Sequence, residues 1–378
     1  MTVFLFELKK IRQNKTFIGA CLAMSLVFLG IIYINVWSSQ MTGIPGVIPY
    51  TKRESIEKNL QIANRYAGEI SDEKIEAIVN DYLVLFQENR KNDIQFFDIY
   101  SYYVTDAFVP DTTGIYDSEE EIQTDVTITP IAEMGFAETG KPIIIGNFKS
   151  WEILFETMSQ VFIALALLVI LFCSLLFAND TSKNLLPLLL STRFGRTKMN
   201  RSKICVGIFL TVSAFVIVHL LLLFLVGMEF GFSGWDVSIQ ANFEWQLFDF
   251  PLGWNNLQVY SFSLFFHLIS LLAVAGVTMF ISGLLTSTFS TLAISLGLFF
   301  LPQMLTYIFK TGVINQFLYL FPVNTGNVRK LLDLTSQPSQ FFFDSVVANL
   351  ALMLGIMLVV QILLEFSIYE RMKKLTLN

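Results

Sequence analysis

The two histidines of the chain, His219 and His267, both fall inside long apolar runs. A zinc-type site takes three or four protein ligands, so two imidazoles on separate helices are expected to be hydrogen-bonded residues between helices, not metal ligands. Glu152, Glu156 and Gln160 recur at i, i+4 and i+8, which puts one polar, acidic stripe on a helix. Ionisable groups at membrane depth face a bundle interior or an aqueous cavity. The stripe therefore reads either as the lining of a translocation path for cationic or amphipathic cargo, or as a solvated stem above the bilayer. Gln361 and Glu365 repeat the spacing with Arg371 nearby, a pattern expected of an interface anchor and not of a proton relay. No GxxxxGK[ST] loop occurs, and Gly140-Lys141 is followed by Pro142, so the chain has no motif to cradle nucleotide phosphates. No catalytic, cofactor or metal site is expected on it.

The elements that carry these residues are set by composition. With 378 residues, 54% of them hydrophobic and 15% charged, and a mean hydropathy of +0.59, the chain is too apolar for a soluble globule. Charge is unevenly placed: residues 38–150 hold 19 acids against 9 bases, while the rest of the chain is net positive. An acidic domain on a basic-fringed membrane body follows from that asymmetry. Cys21, Cys173 and Cys205 lie in or beside apolar runs, leaving the acidic segment no disulfide framework.

A hydrocarbon core of about 30 Å needs about 20 apolar residues per helix, which predicts six spans at 16–36, 156–178, 204–228, 259–285, 292–309 and 346–368. The first, at 21 residues without a small-residue cleavage site, reads as an uncleaved span and not a signal peptide. The fourth and fifth are separated only by an uncharged Ser/Gly/Thr turn between Ser282 and Ser290. Basic residues at the N-terminus, in 179–203 and at Arg371, Lys373 and Lys374 predict an even number of spans with both termini cytoplasmic.

The expected architecture is an all-α polytopic membrane protein of six transmembrane helices, with a mixed α/β extracellular domain between spans one and two. Three regions result: 1–37, 38–150 and 151–378. Residues 2–15 read either as an amphipathic helix on the inner membrane surface, with Phe4, Leu8 and Ile11 on its apolar side, or as a plain positive flank. In the external segment a helix is expected over 53–67. A second follows Ser71 as cap, with Ile75, Ile78, Val79, Tyr82 and Phe86 as its stripe. Strand-like pieces fall at 125–131 and 143–145. Residues 229–255, rich in Trp and Phe, read as an outer aromatic belt or as a flap touching a partner or substrate.

The stretch 179–203 sets Lys183, Arg193, Arg196, Lys198, Arg201 and Lys203 against the single acid Asp180, with the apolar run LLPLLL inside it. Leucines flanked by bases suit either burial against a protein partner or contact with anionic lipid. The order Phe177, Asp180, Asn184, Leu188–Leu190, Ser191, Thr192, Gly195, Arg196 and Lys203, with Glu7–Lys10 upstream, resembles the permease subunits of type 2 ABC transporters. The chain departs from that pattern at Asp180 for Glu, Asn184 for Gly, Leu185 for Thr, and at Pro187 among the leucines.

The resemblance implies that residues around 185–196 form a coupling helix seated in a groove of a separate ABC ATPase, with Asp180, Leu185, Leu186, Leu188, Leu189, Arg193 and Arg196 as the coupling residues. It implies a second permease copy or paralogue, ATP and Mg held by the ATPase and not by this chain, and a place in a bacterial cell membrane. The expected function is export of a peptide or amphipathic compound. A sensor or mechanical transmitter with a ligand-binding external domain is the alternative, and an ion-coupled carrier is disfavoured by the scarcity of deep acids.

Overall fold

The computed structural model describes residues 3–38, 52–90, 99–112, 115, 126–192, 194–336 and 341–374. Among them, six helices are long and apolar enough to cross a membrane: Lys15–Trp37, Lys149–Ser182, Gly195–Phe230, Asn256–Leu284, Thr288–Ile308 and Val346–Lys374. The chain is a multi-pass, predominantly helical membrane protein. It divides into two compact units, one built from Met1–Tyr33, Glu156–Leu223 and Phe262–Asn378, the other from Ile34–Phe155 and Phe224–Ser261.

The first unit contains α1 (Val3–Arg12) and α2 (Lys15–Ile32), the latter extended by a π-helical turn at Tyr33–Trp37. Asn14 caps α2 by accepting a 2.9 Å hydrogen bond from the Thr16 amide. Most of α6 (Lys149–Ser182) also belongs here, and it is buried along most of its length, whereas α2 is exposed nearly throughout. A helix apolar all round and exposed is stable only against lipid or another protein. After α7 (Leu186–Ser191) come α8 (Asn200–Phe230), α9 (Asn256–Leu284) and α10 (Thr288–Ile308). Ser287 caps α10, so the uncharged turn is placed where Ser and Gly predicted it. Pro302 lies inside α10, where it removes one ladder hydrogen bond. Three short helices, α11 (Gly312–Leu318), α12 (Pro322–Thr325) and α13 (Val328–Ser336), lead to α14 (Val346–Lys374).

In the second unit, α3 (Lys52–Arg65), α4 (Asp72–Arg90) and α5 (Tyr100–Phe108) pack together. The stripe read from the sequence, Ile75, Ile78, Val79, Tyr82 and Phe86, is buried in their core. The mixed α/β expectation is met only by a two-residue antiparallel ladder among the described residues, β1 (Gly68–Glu69) with β2 (Ile144–Ile145). Asp125 lies outside the described residues. The remaining piece, 126–131, forms no strand: Pro130 has no amide to give a ladder and instead precedes a 3₁₀ turn at Ile131–Glu133.

Several of the rings in residues 229–255 are core residues: Phe243, Trp245 and Phe250 are buried. They are part of this unit, where Phe243 is buried against Tyr100, Phe108 and Phe148. Phe248 packs on Phe136, and Trp245 on Phe155. Buried Gln240, in a 3₁₀ turn at Ile239–Ala241, donates to the carbonyls of Ala137, Phe248 and Phe250 at 3.1, 3.2 and 3.1 Å, holding these segments together. Of the tryptophans there, Trp235 is exposed.

Candidate functional site

The region between α6 and α8 is built from local backbone chemistry upward. Asn184 adopts a left-handed conformation, φ 55°, one of the few non-glycine residues that tolerate it. The Leu185 amide donates to Asp180 O at 2.9 Å and the Asn184 amide to Thr181 O at 3.0 Å. This 6→1 and 5→2 pair is the Schellman ending of a helix. Leu185 then caps α7, with Pro187 in its first turn, where a missing amide costs nothing. Gly195 packs directly against the α7 backbone: a Cβ there would lie 1.8 Å from Leu189 O. The π-helical turn that follows, Gly195–Met199, touches α7, α1 and α14.

Beneath this loop lies a buried ionic cluster. Asp180, with no exposed surface, accepts hydrogen bonds from both Lys10 and Lys203. Lys203 is likewise fully buried, and its ammonium sits 5.0 Å from the centre of the Phe177 ring. Glu7, also buried, stands 3.7 Å from Lys10. Two lysines and two carboxylates thus balance, which a site removed from water requires. The cluster joins α1, the end of α6 and the start of α8. It also sets the face that α1 turns inward, which carries Glu7 with Ile11, while Leu5 and Phe6 are exposed.

The residues expected to couple to a partner therefore separate into two roles. Asp180 is buried and positions the loop; it presents nothing outward. Leu185 and Leu188 are exposed, Leu186 and Leu189 half-buried, and Leu190 is buried. Arg196 is exposed; Arg193 lies outside the described residues. Phe194 was not singled out from the sequence, yet it is exposed and carries Lys198 over its ring at 4.4 Å. Lys10 and Glu7 were missed as members of the cluster because 170 residues separate Lys10 from Asp180.

Glu152, Glu156 and Gln160 do not share one environment along α6. Glu152 is buried, accepting from Lys149 at 2.9 Å, and its other carboxylate oxygen has no partner among the described residues. Lys149 also donates to Tyr103 at 3.0 Å and to Glu244. Burial alone would raise the Glu244 carboxyl, but the charge of Lys149, with hydrogen bonds, holds it below its ordinary value. Glu156 and Gln160 are exposed.

The histidines sit as hydrogen-bonded core residues. His267 Nε2 pairs with Gly326 O and His219 Nδ1 with Phe215 O, each at 3.0 Å. Their rings are 5.9 Å apart, and no group of three or more metal-ligating side chains occurs among the described residues. The Gln361 amide donates to Glu365 at 3.1 Å. Comparison of the chain with models of protein families, with characterised proteins and with solved structures finds no match.

Proposed function

We propose that this chain is the permease subunit of a type 2 ABC transporter, pairing with a second permease copy or paralogue and with ATPase subunits that hydrolyse ATP for it. ATP and magnesium reside on the ATPase; this chain supplies the membrane path and the docking element. The cargo is a peptide or other amphipathic compound, moved out of the cell. The site of action is a bacterial cell membrane, with both termini and 179–203 on the cytoplasmic side and the α3–α5 unit outside. The basic residues of the loop and of the α14 end favour that orientation.

The observation that carries this reading is the exposed apolar group Leu185, Leu188 and Phe194, set among exposed Lys183, Arg196 and Lys198 on a loop tied down by Asp180. Contiguous exposed apolar side chains rimmed by charge mark interaction surfaces. Fixing the loop through a buried ion cluster lowers the ordering cost of docking.

The test is Leu188→Asp with Phe194→Asp in the full chain, followed by co-purification with the ABC ATPase that pairs with the unaltered chain and ATP-dependent uptake of a cationic peptide into inverted vesicles. Loss of both, with the melting transition unchanged, is expected. Retained ATPase binding would overturn the docking role. Peptide-stimulated ATP turnover without uptake would favour the sensor reading instead.

A further inference from the structure

The second unit encloses an ionic group whose charges do not balance. Lys149 of α6 donates to Glu152 at 2.9 Å, to the Tyr103 hydroxyl of α5 at 3.0 Å, and to Glu244 of the segment after α8. Glu152 is 1% exposed and Lys149 13%. One ammonium thus faces two carboxyl groups. Around Asp180 two lysines meet two acids; here one negative charge is left over, and taking it out of water uncompensated is costly.

The donors fall short in the same way. An ammonium has three N–H groups, and Lys149 uses all three on Tyr103, Glu152 and Glu244. The Tyr103 hydroxyl, which accepts from Lys149, is hydrogen-bonded in turn to Glu244. Neither group serves the second carboxyl oxygen of Glu152, which is buried without a partner among the described residues. The Glu244 side chain lies within hydrogen-bonding reach of Glu152. Ionised carboxylates only accept, so a bond between these two requires a proton on one of them.

We propose that Glu152 and Glu244 share one proton, which makes this group a proton-binding site, filled at neutral pH and emptied in alkali. The bound proton cancels the surplus charge and supplies the missing donor together. Two carboxyl groups in one buried place titrate apart as a pair, and a buried glutamate can keep its proton to about pH 8–9. The proton bonds one carboxylate oxygen and no other bond changes. Glu244, 29% exposed, is the side chain through which it arrives from water. The titratable groups facing Glu152 are Lys149 of its own helix and Glu244, while Tyr103 of α5 faces Lys149 and Glu244. Loss of the proton sets two like charges against each other and loosens the hold of the Glu244 segment on α6. The inference stands whether or not the chain exports a cargo.

Infrared difference spectra of the full chain in phosphatidylcholine vesicles test this, because a protonated carboxyl and a carboxylate absorb at separate frequencies. The unaltered chain at neutral pH should show a carboxylic acid band that disappears in alkali. Glu152→Gln and Glu244→Gln should each lack that band, since either amide supplies the donor in place of the proton. Melting transitions give a second readout. Between the ordinary glutamate value, about 4.3, and the pH at which the folded pair lets go, the folded chain holds the extra proton, so stability falls as pH rises. The melting transition should therefore drop from neutral to alkaline pH, and Glu152→Gln should flatten the drop. Should one variant not fold, the other is read in its place, and the spectrum of the unaltered chain needs neither. No acid band lost between neutral and alkaline pH, a band that survives in either variant, or an equal alkaline drop with and without Glu152 overturns the inference.

Discussion

Lys203 carries a charge with no exposed surface, and Asp180 is the acid that makes this tolerable. Removing one member of a buried ion pair strands the other and costs about 3–5 kcal/mol, whereas replacing both with apolar groups is often near neutral. Asp180→Leu and Lys203→Met should therefore each lower the melting transition of the detergent-solubilised chain sharply, while the double variant loses less than the two losses added. Additive losses would show that the two charges do not depend on each other. Glu244 makes a second prediction, of opposite pH sense to a histidine switch. Its carboxyl is held below its ordinary value by Lys149, so between the lowered and the ordinary value the unfolded chain binds the extra proton. Stability from this contact is complete above the ordinary carboxylate range and is lost as pH falls through the lowered value. Thermal melts recorded from neutral pH into the acid limb should show that loss, and Glu244→Gln should flatten it.

At the scale of elements, the loop between α6 and α8 depends on Gly195. Its missing side chain lets the backbone lie against Leu189 O, so Gly195→Ala should unseat α7 and expose 179–203 to limited proteolysis. Gly355→Ala, where a Cβ meets nothing within 4 Å, is the control and should leave the pattern unchanged. Much of this element was legible in the sequence because its determinants are local. Asn184 tolerates a left-handed turn, Pro187 belongs in a first turn, and both are placed so.

The six apolar helices were legible for a similar reason, since bilayer thickness sets their length. Their ends were not: α6 starts at Lys149, seven residues before the apolar run at 156, where Lys149 finds partners in Tyr103, Glu152 and Glu244. The packing of Phe243 was not legible from composition. Rings that suit a headgroup belt suit a core equally, and the partners of Phe243 lie about a hundred or more residues away at Tyr100, Phe108 and Phe148. Two-residue strands such as β1 and β2 are too short to show an alternating pattern.

For the whole molecule the proposed orientation is the property with the widest consequences. A cysteine placed at exposed Lys183 should resist a membrane-impermeant thiol reagent in intact cells, and one at exposed Glu69 should react. Reversed labelling would put the basic loop outside and overturn the proposed docking of an ATPase there. Within the first unit, one contact limits how the spans can move. The Ser282 hydroxyl of α9 donates to Ser174 O at 2.9 Å and accepts from the amides of Phe177 and Ala178 at 3.2 and 3.0 Å. A neighbouring side chain is thus spliced into the backbone ladder of α6, less than one turn before Asp180. Lipid offers no replacement for those bonds, so α6 and α9 cannot slip past each other there without breaking them. Asp180 ties the same end of α6 to α8 and α1. If α7 is the docking element proposed above, a push on it is delivered where α1, α6, α8 and α9 are joined at one end of α6.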